Sequence, residues 1–259
     1  VVRTTWYITD KPAYLASLAE VGAAWREVMG RHYPAMAVVE VKALIEDRAW
    51  VADALTADRV TALQAFRDLF SDDVLRPGDE VAVGRIALLF SDLKGSTALY
   101  QAIGDANAYR LVRDHFAVLA KAIRDHEGAI VKTIGDAVMA AFVSPAQAVA
   151  AALEIQARIA EFNRPPAAGQ GHPPLVIKLG IHAGPTIAVT LNDRLDYFGS
   201  TVNMTARLQG ESRGGEIVLS REIAEDPAIR PILAGRNLRP DQAALKGYDQ
   251  AVPFFRLLA

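Results

Sequence analysis

Arg85-Ile-Ala-Leu-Leu-Phe-Ser-Asp-Leu-Lys-Gly-Ser-Thr97 sets a short, largely apolar run directly before an acidic residue and a Gly/Ser/Thr turn. Residues 85–91 read as a central strand, since a short apolar run bounded by turn residues is what a sheet buried on both faces requires. Asp92 ends that strand, and Leu93-Lys-Gly-Ser-Thr97 turns the chain into a helix. Free backbone N–H groups at Gly95, Ser96 and Thr97 form a natural phosphate seat. A plain capping turn with Ser96 as N-cap is equally good local chemistry.

Downstream, strands and helices alternate. Residues 97–126 read as helical with a break near Gly104-Asp105, and Gly128 closes them. Residues 129–142 form a hairpin turning at Gly135-Asp136, and 146–162 an alanine-rich amphipathic helix that ends before Pro165-Pro166. Strands follow at 175–183 and 186–189, a helix at 201–208 and a strand at 216–219. This order predicts an α+β fold, a mixed sheet covered mainly on one face by helices.

Upstream, residues 1 to about 50 read strand (3–9), helix (12–29, with Asp10 as N-cap), strand (35–45). Tyr14, Leu15, Leu18, Val21 and Trp25 recur at helical spacing there. A second amphipathic helix spans 56–70, with Val60, Leu63, Phe66 and Phe70, and Pro77-Gly78 mark a linker. The expected organisation is therefore a β-α-β segment at 1–50, a helix and linker at 51–82, and a domain at 83–259.

Composition narrows the function. The 28 basic and 30 acidic residues give a net charge of −2, without the basic excess that a nucleic-acid footprint needs. Zero cysteines exclude disulfides, zinc-thiolate sites and thiol catalysis, and fit a cytoplasmic chain. Arg3, Asp10 and Lys11 interrupt any apolar run at the start, so no secretory signal is expected. The most apolar stretch, 137–155, is broken by Pro145, Gln147 and Glu154, so no membrane segment is expected either.

Six side chains stand out for chemistry. Asp92 at a strand end and Asp136 at a hairpin tip can together hold Mg²⁺, which takes few protein carboxylates and completes its shell with water and phosphate oxygens. Taken singly, each is also what a turn carries. Lys132 lies in the strand Ala129-Ile-Val-Lys-Thr-Ile134 and needs a partner if it is buried; Asp196 is a candidate, and an edge lysine is the ordinary alternative. Asn203 and Arg207, four apart, share one helix face, as a ligand with hydroxyl and phosphate groups would require and as an exposed face would equally allow.

In order along the chain stand Phe90-Ser-Asp-Leu-Lys-Gly-Ser-Thr97, Lys132-Thr-Ile-Gly-Asp-Ala137, Gly180-Ile-His-Ala-Gly184 and Asp196-Tyr-Phe-Gly-Ser-Thr-Val-Asn-Met-Thr-Ala-Arg207. The series strongly resembles the class III adenylyl/guanylyl cyclase catalytic domain, a ferredoxin-like α+β fold, over roughly two-thirds of the chain. The resemblance implies an adenylate cyclase that converts ATP to cyclic AMP and pyrophosphate in a homodimer with shared active sites. Two Mg²⁺ ions per site, for which Mn²⁺ can substitute, would be held by Asp92, Asp136 and the Leu93 carbonyl. Lys132 and Asp196 match the adenine-reading pair, where guanylyl cyclases carry Glu and Cys. Asn203 matches the ribose-positioning residue, Arg207 the residue stabilising the α-phosphate, and Lys246 the lysine that grips the triphosphate. Gly95, Ser96 and Thr97 would seat phosphate through their amides. Ser96 and Lys94 depart from the family, which commonly has aromatic and apolar residues at those positions. His182 is a strand residue in the resemblance, hence structural. A non-catalytic nucleotide-binding or dimerisation module is the alternative reading.

Residues 1 to about 50 resemble the carboxy-terminal half of the RidA family, through Thr5-Trp-Tyr-Ile-Thr-Asp10 and the stretch from His32 to Lys42. Met36 stands where that family grips substrate with arginine, so a structural or regulatory element is expected there rather than a deaminase.

Overall fold

The computed structural model describes residues 3–8, 11–29, 35–40, 57–70, 80–164, 173–192 and 194–258. The chain divides into two compact units, Val1–Leu55 and Thr56–Ala259.

In the first unit, β1 (Arg3–Ile8) leads through α1 (Lys11–Ala16) and α2 (Leu18–Met29) to β2 (Ala35–Glu40). β1 and β2 pair in parallel, Arg3 opposite Ala35 and Ile8 opposite Glu40. Parallel neighbours need a crossover connection, which the helices supply. The single helix expected over 12–29 is divided at Ser17, whose hydroxyl donates to the Ala13 carbonyl at 2.9 Å. The expected Asp10 cap and the end of the second strand lie outside the described residues.

The second unit opens with α3 (Ala57–Thr61), α4 (Gln64–Phe70), β3 (Glu80–Leu93), α5 (Ser96–Ile103) and α6 (Asp105–Asp125). The hairpin β4 (Ala129–Ile134) and β5 (Ala137–Phe142) follows, then α7 (Pro145–Phe162), β6 (Ile177–Leu191), β7 (Arg194–Phe198) and α8 (Ser200–Glu211). Last come β8 (Glu216–Ser220), α9 (Arg221–Ala224), α10 (Arg230–Leu233), β9 (Leu238–Ala243) and β10 (Val252–Leu258). The strands form one sheet in the order β4-β5-β3-β6-β8-β10-β9, with β7 paired to β6. β6 and β8 run parallel, whereas β3 is antiparallel to β5 and β6, so the sheet is mixed and the class α+β, as expected.

Alternation along β3 assigns the two faces. Ala87, Leu89 and Leu93 enter a large core with residues of α6 and α7, such as Leu119, Ile123, Val149 and Ile155. Ile86, Leu88 and Phe90 point the other way, into a smaller core with Met139, Leu195, Tyr197 and Ala62 of the α3–α4 turn. The second face is therefore covered as well, in part by α8, whose Leu208 meets Val218 and Phe254.

Three boundaries differ from expectation. The helix expected over 56–70 is two helices, with Thr61 and Ala62 turned into the core. The two strands expected between 175 and 189 are one long β6, because β3 extends back to Glu80 and pairs along its length across a bulge at Val83/Arg85. Residues 194–198, to which the sequence assigns no element, form β7, which pairs with the far half of β6. Among the described residues no helix is long and apolar enough to cross a membrane.

Candidate active site

Asp92 stands where β3 leaves the sheet, opposite Lys178 on β6. Burial raises the Asp92 carboxyl above the usual carboxylate range and the Asp136 carboxylate raises it further, while the Lys178 ammonium and the Leu93 amide act in the opposite direction. Asp136 occupies the β4–β5 turn beside Gly135 at φ 63°, and its Oδ2 is buried without a hydrogen-bond partner among the described residues. Two carboxylates in mutual repulsion, one with an open acceptor, make a donor set that a divalent cation satisfies. Among the described residues no group of three or more His, Cys, Asp or Glu forms a richer metal cluster. The pair therefore fits Mg²⁺, whose remaining positions go to water and phosphate.

The turn after Asp92 brings Gly95 to φ 71°, a left-handed conformation that glycine adopts without strain, and Gly95 is the N-cap of α5. No side chain caps this helix, so Ser96 is its first residue rather than its N-cap. Ser96 is half-buried and Thr97 exposed, at a helix start where backbone N–H groups lack intrahelical partners.

Lys132 follows a register shift in β4 between Ile130 and Lys132. Its ammonium donates to Asp196 Oδ2, joining β4 to β7 in an ion pair. The other oxygen of Asp196 accepts the Tyr197 N–H at 2.8 Å, which sets the direction of the carboxylate.

Asn203 and Arg207 lie on α8, the amide exposed and the guanidinium half-buried, its Nε lacking a partner among the described residues. The helix reaches this position because β6 has glycine where they touch: a Cβ on Gly180 would stand 2.3 Å from the Gln209 backbone nitrogen. Lys246 is exposed in the loop between β9 and β10. His182 contacts Ser220 Oγ at 2.9 Å from within β6. No hydrogen bond or ion pair among the described residues links the Asp92/Asp136 pair to the Lys132/Asp196 pair.

Four neighbours of the carboxylates escaped the sequence reading: Tyr100, His115, Lys178 and Gln209. Burial and the Asp136 carboxylate push the Tyr100 hydroxyl up. Gln209 stands near enough to Asp92 to favour its charged form, and its Nε2 is buried without a hydrogen-bond partner among the described residues. His115 is fully buried in α6; Nδ1 lies 2.6 Å from the Val112 carbonyl and Nε2 has no partner among the described residues. Its signal was legible: a histidine interrupts the buried stripe Leu111, His115, Leu119.

Comparison with known proteins assigns the domain that carries the paired aspartates, the glycine turn and the polar helix face. Residues 80–228 match the adenylate and guanylate cyclase catalytic domain, more than half of the chain. The chain belongs to this family. The cyclase match contains Asp92, Lys132, Asp136, Asp196, Asn203 and Arg207; Lys246 lies beyond it and α3–α4 before it. The adenylate cyclase of Lachancea kluyveri is 30% identical over 179 residues, which are 62% of this chain and 10% of that protein. The adenylate cyclase of Anabaena cylindrica is 29% identical over 186 residues, 68% of this chain and 37% of that protein. The chain thus corresponds to a minor part of either relative. The guanylyl cyclase Cya2 superposes with a TM-score of 0.60 at 25% identity, covering 70% of this chain and 94% of that one.

Proposed function

We propose that this cyclase domain acts on ATP, forming 3′,5′-cyclic AMP and pyrophosphate at sites shared between two copies of the chain. The observation that carries the choice of base is the Lys132–Asp196 ion pair, a donor and an acceptor side by side. Adenine presents an acceptor at N1 beside a donor at its 6-amino group, complementary to Lys132 and Asp196; guanine reverses that order. A ligand that leaves buried polar groups unpaired is rejected strongly.

The remaining roles are those that the resemblance to the cyclase family implies, and side-chain chemistry is consistent with each. Asp92 and Asp136, with the Leu93 carbonyl, would hold Mg²⁺ or Mn²⁺. Bound metal neutralises triphosphate charge and acidifies the ribose 3′-hydroxyl. Asn203 orients the ribose by hydrogen bonding, so that its 3′-oxygen faces the α-phosphorus. The amides of Gly95, Ser96 and Thr97 seat phosphate oxygens, and Lys246 closes on the triphosphate. As the 3′-oxygen attacks in line and pyrophosphate departs, Arg207 meets the charge growing on the α-phosphoryl oxygens. No covalent enzyme intermediate is needed.

The test offers ATP and GTP side by side to purified protein with Mg²⁺ or Mn²⁺ and quantifies both cyclic nucleotides. Cyclic AMP should predominate, and Asp92→Ala or Asp136→Ala should lower its formation at least about hundredfold with circular dichroism unchanged. Nucleotide binding without turnover in the wild type would instead establish a non-catalytic module.

A further inference from the structure

We infer that α3 and α4 form a clasp that holds the base-reading pair in register, with Arg67 and Gln64 as positioning residues. This rests on the role given above to Lys132 and Asp196. The clasp lies upstream of the cyclase match, which begins at residue 80, yet it belongs to the same compact unit as the site.

Arg67 is 5% exposed, and among the described residues no carboxylate pairs with it. Its Nε donates to the Thr61 carbonyl at 2.6 Å and its Nη1 to the Leu195 carbonyl at 2.8 Å. Its guanidinium carbon stands 4.9 Å from the centre of the Tyr197 ring. The Tyr197 hydroxyl in turn donates to Thr61 Oγ1 at 2.8 Å. Leu195 and Tyr197 are the residues on either side of Asp196. On the other strand, Gln64 Oε1 accepts the Ile130 N–H at 2.7 Å, where the register shift before Lys132 begins. Each of these attachments to the sheet therefore falls within two residues of Lys132 or Asp196.

The topology explains why such fastening matters. Among the described residues β4 pairs only with β5, and β7 only with β6, so each strand has one side without a strand partner there. Donor and acceptor can distinguish two bases only while their spacing is held, and an ion pair alone does not lock two edge strands. Burying a guanidinium without a counter-charge is costly. That cost is understandable if the planar fork does what a shorter or apolar residue cannot, bridging a helix turn to the strand that carries Asp196.

The experiment compares the wild-type chain, Arg67→Ala, Arg67→Lys and Gln64→Met in steady-state assays with ATP and GTP, together with thermal melts. Arg67→Ala should raise KM for ATP about tenfold and erode the preference for ATP over GTP by a similar factor, the loss expected for about one well-placed polar contact. Its kcat at saturating ATP should stay within about twofold, because no group at the phosphorus is touched. Arg67→Lys should recover part of the KM, and Gln64→Met should show the same pattern more weakly. A lower melting temperature with KM and base preference unchanged in Arg67→Ala would reduce the clasp to a structural brace and overturn the inference. Faster turnover in that variant at unchanged KM would overturn it in favour of a restraint on activity. If Arg67→Ala does not fold, an unchanged KM and base preference in folded Gln64→Met overturns the inference on its own. A wild type that forms no cyclic nucleotide overturns the base-reading role itself; an active wild type with indifferent variants overturns only the clasp.

Discussion

The Lys132 ammonium and the Asp196 carboxylate, 64 residues apart in the chain, meet as an ion pair between β4 and β7. The Asp196 side chain is 9% exposed and that of Lys132 35%, so the pair faces solvent through its lysine. Each satisfies the other, so in the role proposed for the pair a purine must insert between them or turn them toward itself. Base recognition then carries a cost for parting the pair, recovered only when both new hydrogen bonds form.

Exchange of this pair should therefore change the substrate. Lys132→Glu together with Asp196→Cys replaces donor and acceptor by the types expected to suit guanine. ATP preference should fall at least about tenfold, measured as the ratio of kcat/KM for ATP and GTP. A wild type that already used both nucleotides equally would show that the pair does not read the base.

Shared sites predict complementation. Asp92→Ala and Arg207→Ala proteins should each be inactive, but a mixed dimer places both lesions in one site and leaves the other sound. Co-expression at equal amounts should restore roughly a quarter of wild-type activity, since about half the dimers are mixed and each has one intact site of two. Heterodimers demonstrated by differential tagging, yet without activity, would contradict a site built from two chains.

A buried histidine and a half-buried one predict acid sensitivity. Burial holds His115 and His182 below the ordinary histidine value of about 6.5. The Val112 carbonyl and Asp136 oppose burial at His115; at His182 Glu222 opposes it and Arg85 reinforces it. Their depressed folded values mean that the unfolded chain takes up protons first as pH falls. Stability present above about pH 6.5 is therefore lost progressively below it. Asp92, with a raised carboxyl, contributes the opposite slope, so variants must be compared with wild type. The difference in urea midpoint between pH 7.5 and 5.5 should shrink in His115→Asn and in His182→Gln.

A buried ion pair ties the end of the chain to the sheet. Arg256 reaches Glu216 Oε1 at 2.5 Å and Asp241 Oδ2 at 2.7 Å, with the Arg256 and Glu216 side chains 8% and 7% exposed. Arg256→Ala should cost about 3 kcal/mol by stranding the Glu216 carboxylate. Arg256→Met with Glu216→Leu should recover most of that loss in urea unfolding, because a well-packed apolar pair needs no counter-charge.

The sequence by itself determined the elements with strong periodicity and the residues with distinctive chemistry. The apolar run before Asp92, the Gly135-Asp136 hairpin and the 146–162 helix were all legible, because burial of a strand or helix face imposes a pattern on neighbouring residues. The ordered motifs likewise named Asp92, Asp136, Asn203 and Arg207. The tertiary structure alone decided β7, whose five residues look like a loop until β6 extends far enough to pair with them. It alone brought Lys178 opposite Asp92, seated His115 and Tyr100 near Asp136, and directed Arg67 onto the strand beside Asp196. Arg67 and Leu195 are 128 residues apart, and no local pattern encodes such a contact. Periodicity records which face of an element is buried; what that face meets depends on how the sheet is ordered, and that order is a property of the whole chain.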